Sequence, residues 1–544
     1  MKSWLALKNK PVIILLSVFT TIALFLHLYK INMGCLNADE AAFGYNAYSI
    51  LKTGRDEYGN LLPLRLKSFG DYKLPLLAYL TVPFVGLLGL NEFSTRTVPV
   101  IIGIITPLLF YFLAKEITGD RRTGLIAAFL GSVSPWVQII TRHAHEASLA
   151  YLFISLAVFC LLRYRKTTAK PYLLLYSACS LLALFSYHSS RLLIIFLSGY
   201  LVVEQFLISR SLKRLWWPIV FAVIPLMIFF FSETIQPNTR VNNLLFYKTS
   251  GFSIAIEQFR KEDNNQFLRN KFTQAMQVLS KQYLSYFSPE FLAFQGDQNK
   301  RFGYPGMSPI TPIEYIFLFI GLYYVFKKQL PKRLLLTGIL LIAPLTAALT
   351  WQENSLTRSY FLIVPIIIIV SYGVAQFWQD VKGQLWKTMA LIVLILMFVL
   401  FSLLTWDFYF NHYYKRPEVG FAWQCGYKEL TQYVKNDYAK YNQFYITEKN
   451  GQPYIFFLYY LQYPPAHYQA QARLSPPDVY GFGQVAKFDK FIFSLPSPYT
   501  KPKTVYVGYF DDFNADSQID LTKIKKIAVN NTDIFWIYES DKEK

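Results

Sequence analysis

Long apolar runs recur through this chain, and they constrain its fold more than any other feature. They lie at residues 11–29, 97–114, 124–141, 148–162, 172–186, 192–208, 215–232, 313–326, 334–350, 359–378 and 388–406. Most approach the ~20 residues that a helix needs to cross a bilayer core. No water is available there, so each such run must satisfy its own backbone as a helix. Composition agrees: 53% of the residues are hydrophobic and only 16% are charged. The first run, Pro11–Tyr29, follows Lys2, Lys8 and Lys10 and shows no small-residue cleavage site. It reads as a retained helix and not a signal peptide.

A further apolar stretch, Leu74–Leu90, is ambiguous by length alone, and charge decides it. With a cytoplasmic N-terminus and Leu74–Leu90 not spanning, the inner loops hold Lys115, Arg121 and Arg122; Arg163, Arg165, Lys166 and Lys170; Arg210, Lys213 and Arg214; Lys327, Lys328, Lys332 and Arg333; and Lys382 and Lys387. The short outer loops hold only Arg142, Arg191 and Arg358. If Leu74–Leu90 crossed, every later loop would break the positive-inside rule. The stretch, broken by Pro75 and Pro83, is therefore expected to lie in the interface or to re-enter. The net charge of +20 belongs to this topology and does not call for nucleic acid.

The expected fold class is an α-helical polytopic membrane protein of about eleven spans with a small C-terminal α/β domain outside the cytoplasm. Residues 1–406 form the membrane domain, with outer loops 30–96 and 233–312, and residues 407–544 form the soluble domain. In the tail, a helix near Tyr427–Tyr441 precedes strand-like runs at 444–447, 490–493, 504–510, 523–529 and 533–540. Cys160 and Cys179 fall in spans, while Cys35 and Cys425 are both outside, where spacing leaves their pairing open. The Asn530–Thr532 sequon carries meaning only in a eukaryotic secretory context.

The first outer loop carries most of the chemistry. Residues 37–51 place Phe43, Ala47, Ile50 and Leu51 at helical spacing, which predicts an amphipathic helix on the outer surface. Asp39 and Glu40 fall in its first turn, where they suit chemistry but equally suit a capping box begun by Asn37. Downstream, Asp56, Glu57 and Tyr72 accompany Lys73, which directly precedes the apolar stretch at headgroup level. A lysine there is a point-charge partner for a lipid phosphate, or it snorkels to anionic headgroups. The outer loops TRHAHE (141–146), SYHSSR (186–191) and WQENSLTR (351–358) must face the same aqueous layer. Arg142, Glu146, His188, Arg191 and Arg358 are thus site candidates, or interfacial anchors. His143 and His145 have spacing poorly suited to a helix-end metal site, so no metal ligand is assigned.

The order of these motifs resembles that of the GT-C superfamily of membrane glycosyltransferases. Asp39–Glu40 after the first span, DEYGNLLPL and SFGDYKLP, NEFSTRTVP at 91–99, SPWVQIITRHAHEAS at 134–148 and YHSSR at 187–191 carry the likeness. It is greatest to the bacterial relatives of protein O-mannosyltransferases and of the lipid A aminoarabinose transferase, and it covers residues 10–380. The resemblance implies that Asp39 is the general base, with Glu40 assisting or orienting it. It implies that Lys73, in Lys-Leu-Pro where the family has Lys-Pro-Pro, contacts the donor phosphate. Glu146 stands where the family often has Asp.

The implied activity is inverting transfer of a sugar from a polyprenyl-phosphate donor to an acceptor hydroxyl or amine on a glycan, lipid or protein. It would take place on the outer face of the cell membrane. Lys73, Arg142, Arg191 and Arg358 are the expected phosphate cations, and no cofactor is expected. A transporter or flippase would need polar or broken spans near the midplane and internal repeats. In this chain the charges collect at span ends instead. A non-catalytic envelope-assembly protein could share the topology without needing Asp39.

Overall fold

The computed structural model describes residues 2–69, 71–235, 244–262, 270–477, 483–514, 519 and 521–540. Two parts of the 233–312 segment, 236–243 and 263–269, lie outside the described residues. The chain divides into two units: residues 1–29 with 99–410, and residues 30–98 with 411–544.

The first unit is helical. Among the described residues seven helices are long and apolar enough to cross a membrane: Lys10–Leu28, Glu92–Thr118, Ala147–Thr167, Ser190–Ser209, Leu212–Ile235, Tyr360–Asp380 and Gln384–Lys415. The pair Arg121–Val133 and Pro135–Thr141, bent by 52°, makes an eighth if counted as one broken span. Pro135 sets the break, because its ring cannot continue the preceding helix, and Ser134 Oγ caps the new one on Val137 N. The runs at 172–186, 313–326 and 334–350 fall on shorter helices, Lys170–Leu184, Pro312–Lys327 and Arg333–Ile342 with Leu345–Ala348. Length therefore gives seven or eight spans where the sequence runs give eleven.

Helices Pro312–Lys327 and Ile363–Asp380 cross at glycine. A Cβ on Gly321 would stand 2.1 Å from the Ile369 carbonyl oxygen, and one on Gly373 would stand 2.7 Å from Gly321 N. Bare backbone at both positions lets the helices approach at van der Waals distance.

The second unit joins residues 30–98 to the tail. The sequence reading had put residues 30–96 with the membrane domain. Their contacts instead are with 411–544, including the disulfide Cys35–Cys425, whose Cα atoms are 5.3 Å apart across a sequence separation of 390. The strands are β1 (Leu66–Ser68), β2 (Asp71–Lys73), β3 (Gln443–Ile446), β4 (Arg473–Pro477), β5 (Gly483–Phe488), β6 (Phe491–Ile492), β7 (Thr504–Gly508), β8 (Lys525–Val529) and β9 (Thr532–Ser540). β1 and β2 pair as an antiparallel hairpin, with Leu66 opposite Lys73. The other seven form one mixed sheet in the order β4-β5-β6-β3-β7-β9-β8. β3 runs parallel to β6 and β7, and β9 antiparallel to β7 and β8. All five predicted strand runs are present in it.

The core of this unit is aromatic. Tyr454–Tyr460 is a short helix with six fully buried residues; its Phe457 packs on Phe491, which in turn packs on Phe444. The helix Ala38–Thr53 packs into the same core. Most of its length is buried, so it is not the surface amphipathic helix that the sequence suggested. The reason lies in residues the local pattern cannot see: Tyr45 Oη donates to the Tyr463 carbonyl at 2.9 Å, and Ala38 N donates to Gln424 Oε1 at 2.9 Å. The Leu74–Leu90 stretch forms the helix Leu76–Leu88, thirteen residues and about 20 Å long, short of the ~30 Å hydrocarbon core.

Candidate active site

The helix Ala38–Thr53 begins with a reciprocal cap. Asn37 Oδ1 accepts from Glu40 N at 3.0 Å, and Glu40 Oε2 accepts from Asn37 N at 3.4 Å. It ends at Gly54, whose φ of 69° only glycine adopts without penalty and whose N–H donates to Ile50 O. These caps fix the first turn, and with it the directions of Asp39 and Glu40.

The two carboxylates diverge. Asp39 is 45% exposed and its Oδ1 lies 2.7 Å from Lys73 Nζ, whose side chain is 4% exposed. Lys73 sits at the end of β2, its ammonium 4.5 Å from the Phe69 ring centroid and 5.1 Å from that of Phe43. The aromatic faces and Asp39 together offset the desolvation of a buried ammonium. Glu40 turns inward. Its Oε1 and Oε2 accept from Arg96 Nε and Nη2, both at 2.8 Å, in a bidentate pair buried on both sides. Arg96 also donates to the carbonyls of Ile31, Gly34 and Cys35. Glu40, expected to assist or orient Asp39, ties the helix start through Arg96 to the chain that precedes it.

Asp56 and Glu57 are both buried and differ in their partners. Asp56 holds its own turn, with Oδ1 accepting from Tyr58 N at 3.0 Å and Asn60 N at 2.9 Å. Glu57 is buried and accepts from Tyr454 Oη at 3.0 Å and Asn46 Nδ2 at 3.2 Å. Burial first, then the neighbouring Asp56 charge, pushes its carboxyl up to about 8, against the opposing pull of Tyr454 and Lys73. At neutral pH Glu57 is thus mostly protonated. Tyr72 precedes Lys73 on β2 and is half-buried.

The remaining candidates belong to the helical unit. Arg142, expected to bind phosphate, instead caps the first helix. It donates to the carbonyls of Leu26, of His27 at 3.0 Å and of Tyr29 at 2.9 Å, and its guanidinium lies 5.1 Å from the Phe410 ring centroid. A cation there satisfies last-turn carbonyls and complements the helix dipole. Arg191 donates to Glu233 Oε1 at 2.9 Å and lies 3.1 Å from His188 Nδ1. Arg358 donates to Thr350 Oγ1 at 2.7 Å. Glu146 precedes the helix Ala147–Thr167 and is buried.

Two of the short loops of this unit meet. His145 packs edge-on against Tyr187 and Phe302, at 5.6 and 5.7 Å, so the 141–146 and 186–191 loops share a wall. Asp297, which the sequence reading missed, organises the 351–358 loop. It accepts from Leu356 N and Asn299 N, both at 2.8 Å. Its burial raises the carboxyl to about 6, opposed by those N–H groups and by Arg358. A polar loop aspartate carries no local sign of such burial. Arg96 was missed for a similar reason, because its helix reads as a membrane span. Among the described residues no group of three or more His, Cys, Asp or Glu is placed to hold a metal.

Residues 73–232 match the family model of dolichyl-phosphate-mannose-protein mannosyltransferases, a segment that opens on Lys73. A search of curated protein sequences returned no match. In fold the chain is similar to the crystal structure of ArnT from Cupriavidus metallidurans bound to undecaprenyl phosphate. The TM-score is 0.54 and the identity 11%, over 96% of this chain and 97% of that one. A weaker likeness is to an oligosaccharyltransferase from Archaeoglobus fulgidus, with a TM-score of 0.48 and 12% identity, over 82% of this chain and 62% of that one. The chain as a whole thus has an ArnT-like fold, and the segment 73–232 within it is similar to the mannosyltransferase family.

Proposed function

We propose that this protein is an inverting glycosyltransferase that moves a sugar from a polyprenyl-phosphate donor to an acceptor hydroxyl or amine on the outer face of the cell membrane. The observation that carries the reading is the Asp39–Lys73 pair, a half-exposed carboxylate 2.7 Å from a buried ammonium held between two aromatic rings. Both groups that the reaction needs stand side by side in one unit. ArnT, similar in fold, was crystallised with undecaprenyl phosphate, which supports a donor of that class.

In this mechanism Asp39 takes the proton from the acceptor as its oxygen or nitrogen forms a bond to the anomeric carbon. The bond from that carbon to the phosphate oxygen breaks, and Lys73 stabilises the charge that gathers on the departing phosphate. One in-line step inverts the anomeric centre, by the geometry that governs inverting glycoside hydrolysis. Phosphate is already a good leaving group, so neither a strong general acid nor a metal is required. The reading also takes all eleven apolar runs as spans, the N-terminus as cytoplasmic and the second unit as extracytoplasmic. It drops Arg142 from the donor cations and keeps Arg191 and Arg358 as candidates.

The test is turnover by the purified protein given a polyprenyl-phosphate sugar and an acceptor. Asp39→Asn should keep the donor bound yet lose transfer. Full turnover by this variant would remove Asp39 as the base.

A further inference from the structure

A cavity of about 360 Å³ lies on the lipid-facing side of the helical unit, between the helices Arg121–Val133, Ile363–Asp380 and Gln384–Asp407. Its walls are apolar: Leu125, Ile126 and Phe129 on the first helix, Val374 on the second, and Leu391 and Ile395 on the third. The third helix is barely covered by protein, with Leu391 43% and Ile395 52% exposed. Along Arg122–Leu130 the groove runs about 12 Å, close to the ~15 Å depth of one leaflet.

One end of this groove is cationic. Arg122 lines it at i, i+3, i+4 and i+7 spacing with Leu125, Ile126 and Phe129, so it sits on the groove face. Trp378, in the last turn of the second helix, lines the same end. Lys387 lies one turn before Leu391 on the third helix and shares its face. Arg121 adjoins Arg122, and Lys382 stands in the link between the second and third helices. The carboxylates at this end are already engaged. Asp120 caps its helix on Arg122 N and Thr123 N, and Asp380 is held by Tyr324 Oη at 2.8 Å and Lys328 Nζ at 3.6 Å.

We infer that this groove is a binding site for an anionic glycerophospholipid. One acyl chain lies along the apolar walls, and the phosphodiester is held by Arg122, Lys387 and their neighbours with Trp378 at headgroup depth. Charge argues against a second copy of the chain as the occupant. An isologous contact would set Arg121, Arg122, Lys382 and Lys387 against their own copies. The leaflet assigned to the site, the inner one, rests on the orientation proposed above. Lipid binding itself does not, and neither requires glycosyl transfer.

The test uses the full-length protein in nanodiscs of phosphatidylcholine doped with brominated phosphatidylglycerol or brominated phosphatidylcholine, reading the fluorescence that Trp378→Phe removes. Phosphatidylglycerol should quench Trp378 at lower mole fraction than phosphatidylcholine. Arg122→Gln and Lys387→Gln should each weaken that preference about fivefold. Val374→Phe, which fills the groove and leaves every charge in place, should abolish the quenching. Equal quenching by the two lipids would overturn the inference. So would a dimer that Val374→Phe dissociates, which would make the groove an interface between copies.

Discussion

Asp39 and Glu40 are neighbours in sequence and opposites in structure. Asp39 is 45% exposed and meets one buried ammonium, whereas Glu40 is 2% exposed and locked bidentately to Arg96. Successive helical residues point about 100° apart. The first turn therefore aims one carboxylate outward and the other into the chain that enters the helix. An acidic pair at a helix start is thus not a catalytic dyad by default. In the proposed mechanism one member does chemistry and the other holds the turn from which that chemistry is presented.

Four substitutions test this division, in falling order of expected effect. Asp39→Asn should cut transfer by about 10²–10⁴, the range for loss of a general base, with donor binding retained. Steady-state turnover and donor binding measured side by side would reveal it. Glu40→Gln should act on stability instead. Removing one charge of a fully buried pair costs about 3–5 kcal/mol, visible as a lower thermal midpoint, and any loss of activity should follow the loss of folded protein. If Glu40→Gln instead kept its thermal midpoint and lost turnover, the roles of the two residues would have to be exchanged.

The third substitution reads Glu57, whose folded carboxyl titrates near 8. Its pKa is raised on folding, so the native state holds a proton that the unfolded state releases above its ordinary value of 4.5. Stability should therefore fall as pH rises from about 4.5 to 8 and level off above. Glu57→Gln should flatten that slope in thermal unfolding measured across the range; an unchanged slope would assign it to other groups. The smallest effect on donor use is expected from Arg142→Lys. Its hydrogen bonds go to the carbonyls of the first helix, so KM for the donor should stay within about twofold while the thermal midpoint falls. A large rise in KM would return Arg142 to the phosphate site.

Much of this molecule was legible from sequence because the relevant signals are local. Apolar length marks the long helices, β-rich runs mark β3 and β6 to β9, and loop charge singles out residues 30–96 for the proposed chemistry. Asp39 and Lys73 stood out for the same reason, each polar beside an apolar element. What stayed hidden depends on contacts distant in sequence. Nothing near Ala38–Thr53 announces that Tyr463 and Gln424 will bury it, so the helix read as a surface one. Arg142 shows no local trace of the carbonyls of Leu26, His27 and Tyr29, more than a hundred residues earlier. The join of residues 30–98 to the tail is of the same kind, since Cys35 and Cys425 are 390 residues apart.

The central claim is that Lys73, poised against Asp39, receives the phosphate of a lipid-linked sugar. Native mass spectrometry of the protein purified in mild detergent, wild type beside Lys73→Ala, tests it most directly. The account predicts a co-purifying polyprenyl phosphate or its glycosylated form on the wild type, lost from the variant. No such lipid on the wild type, or equal retention by both proteins, would contradict it.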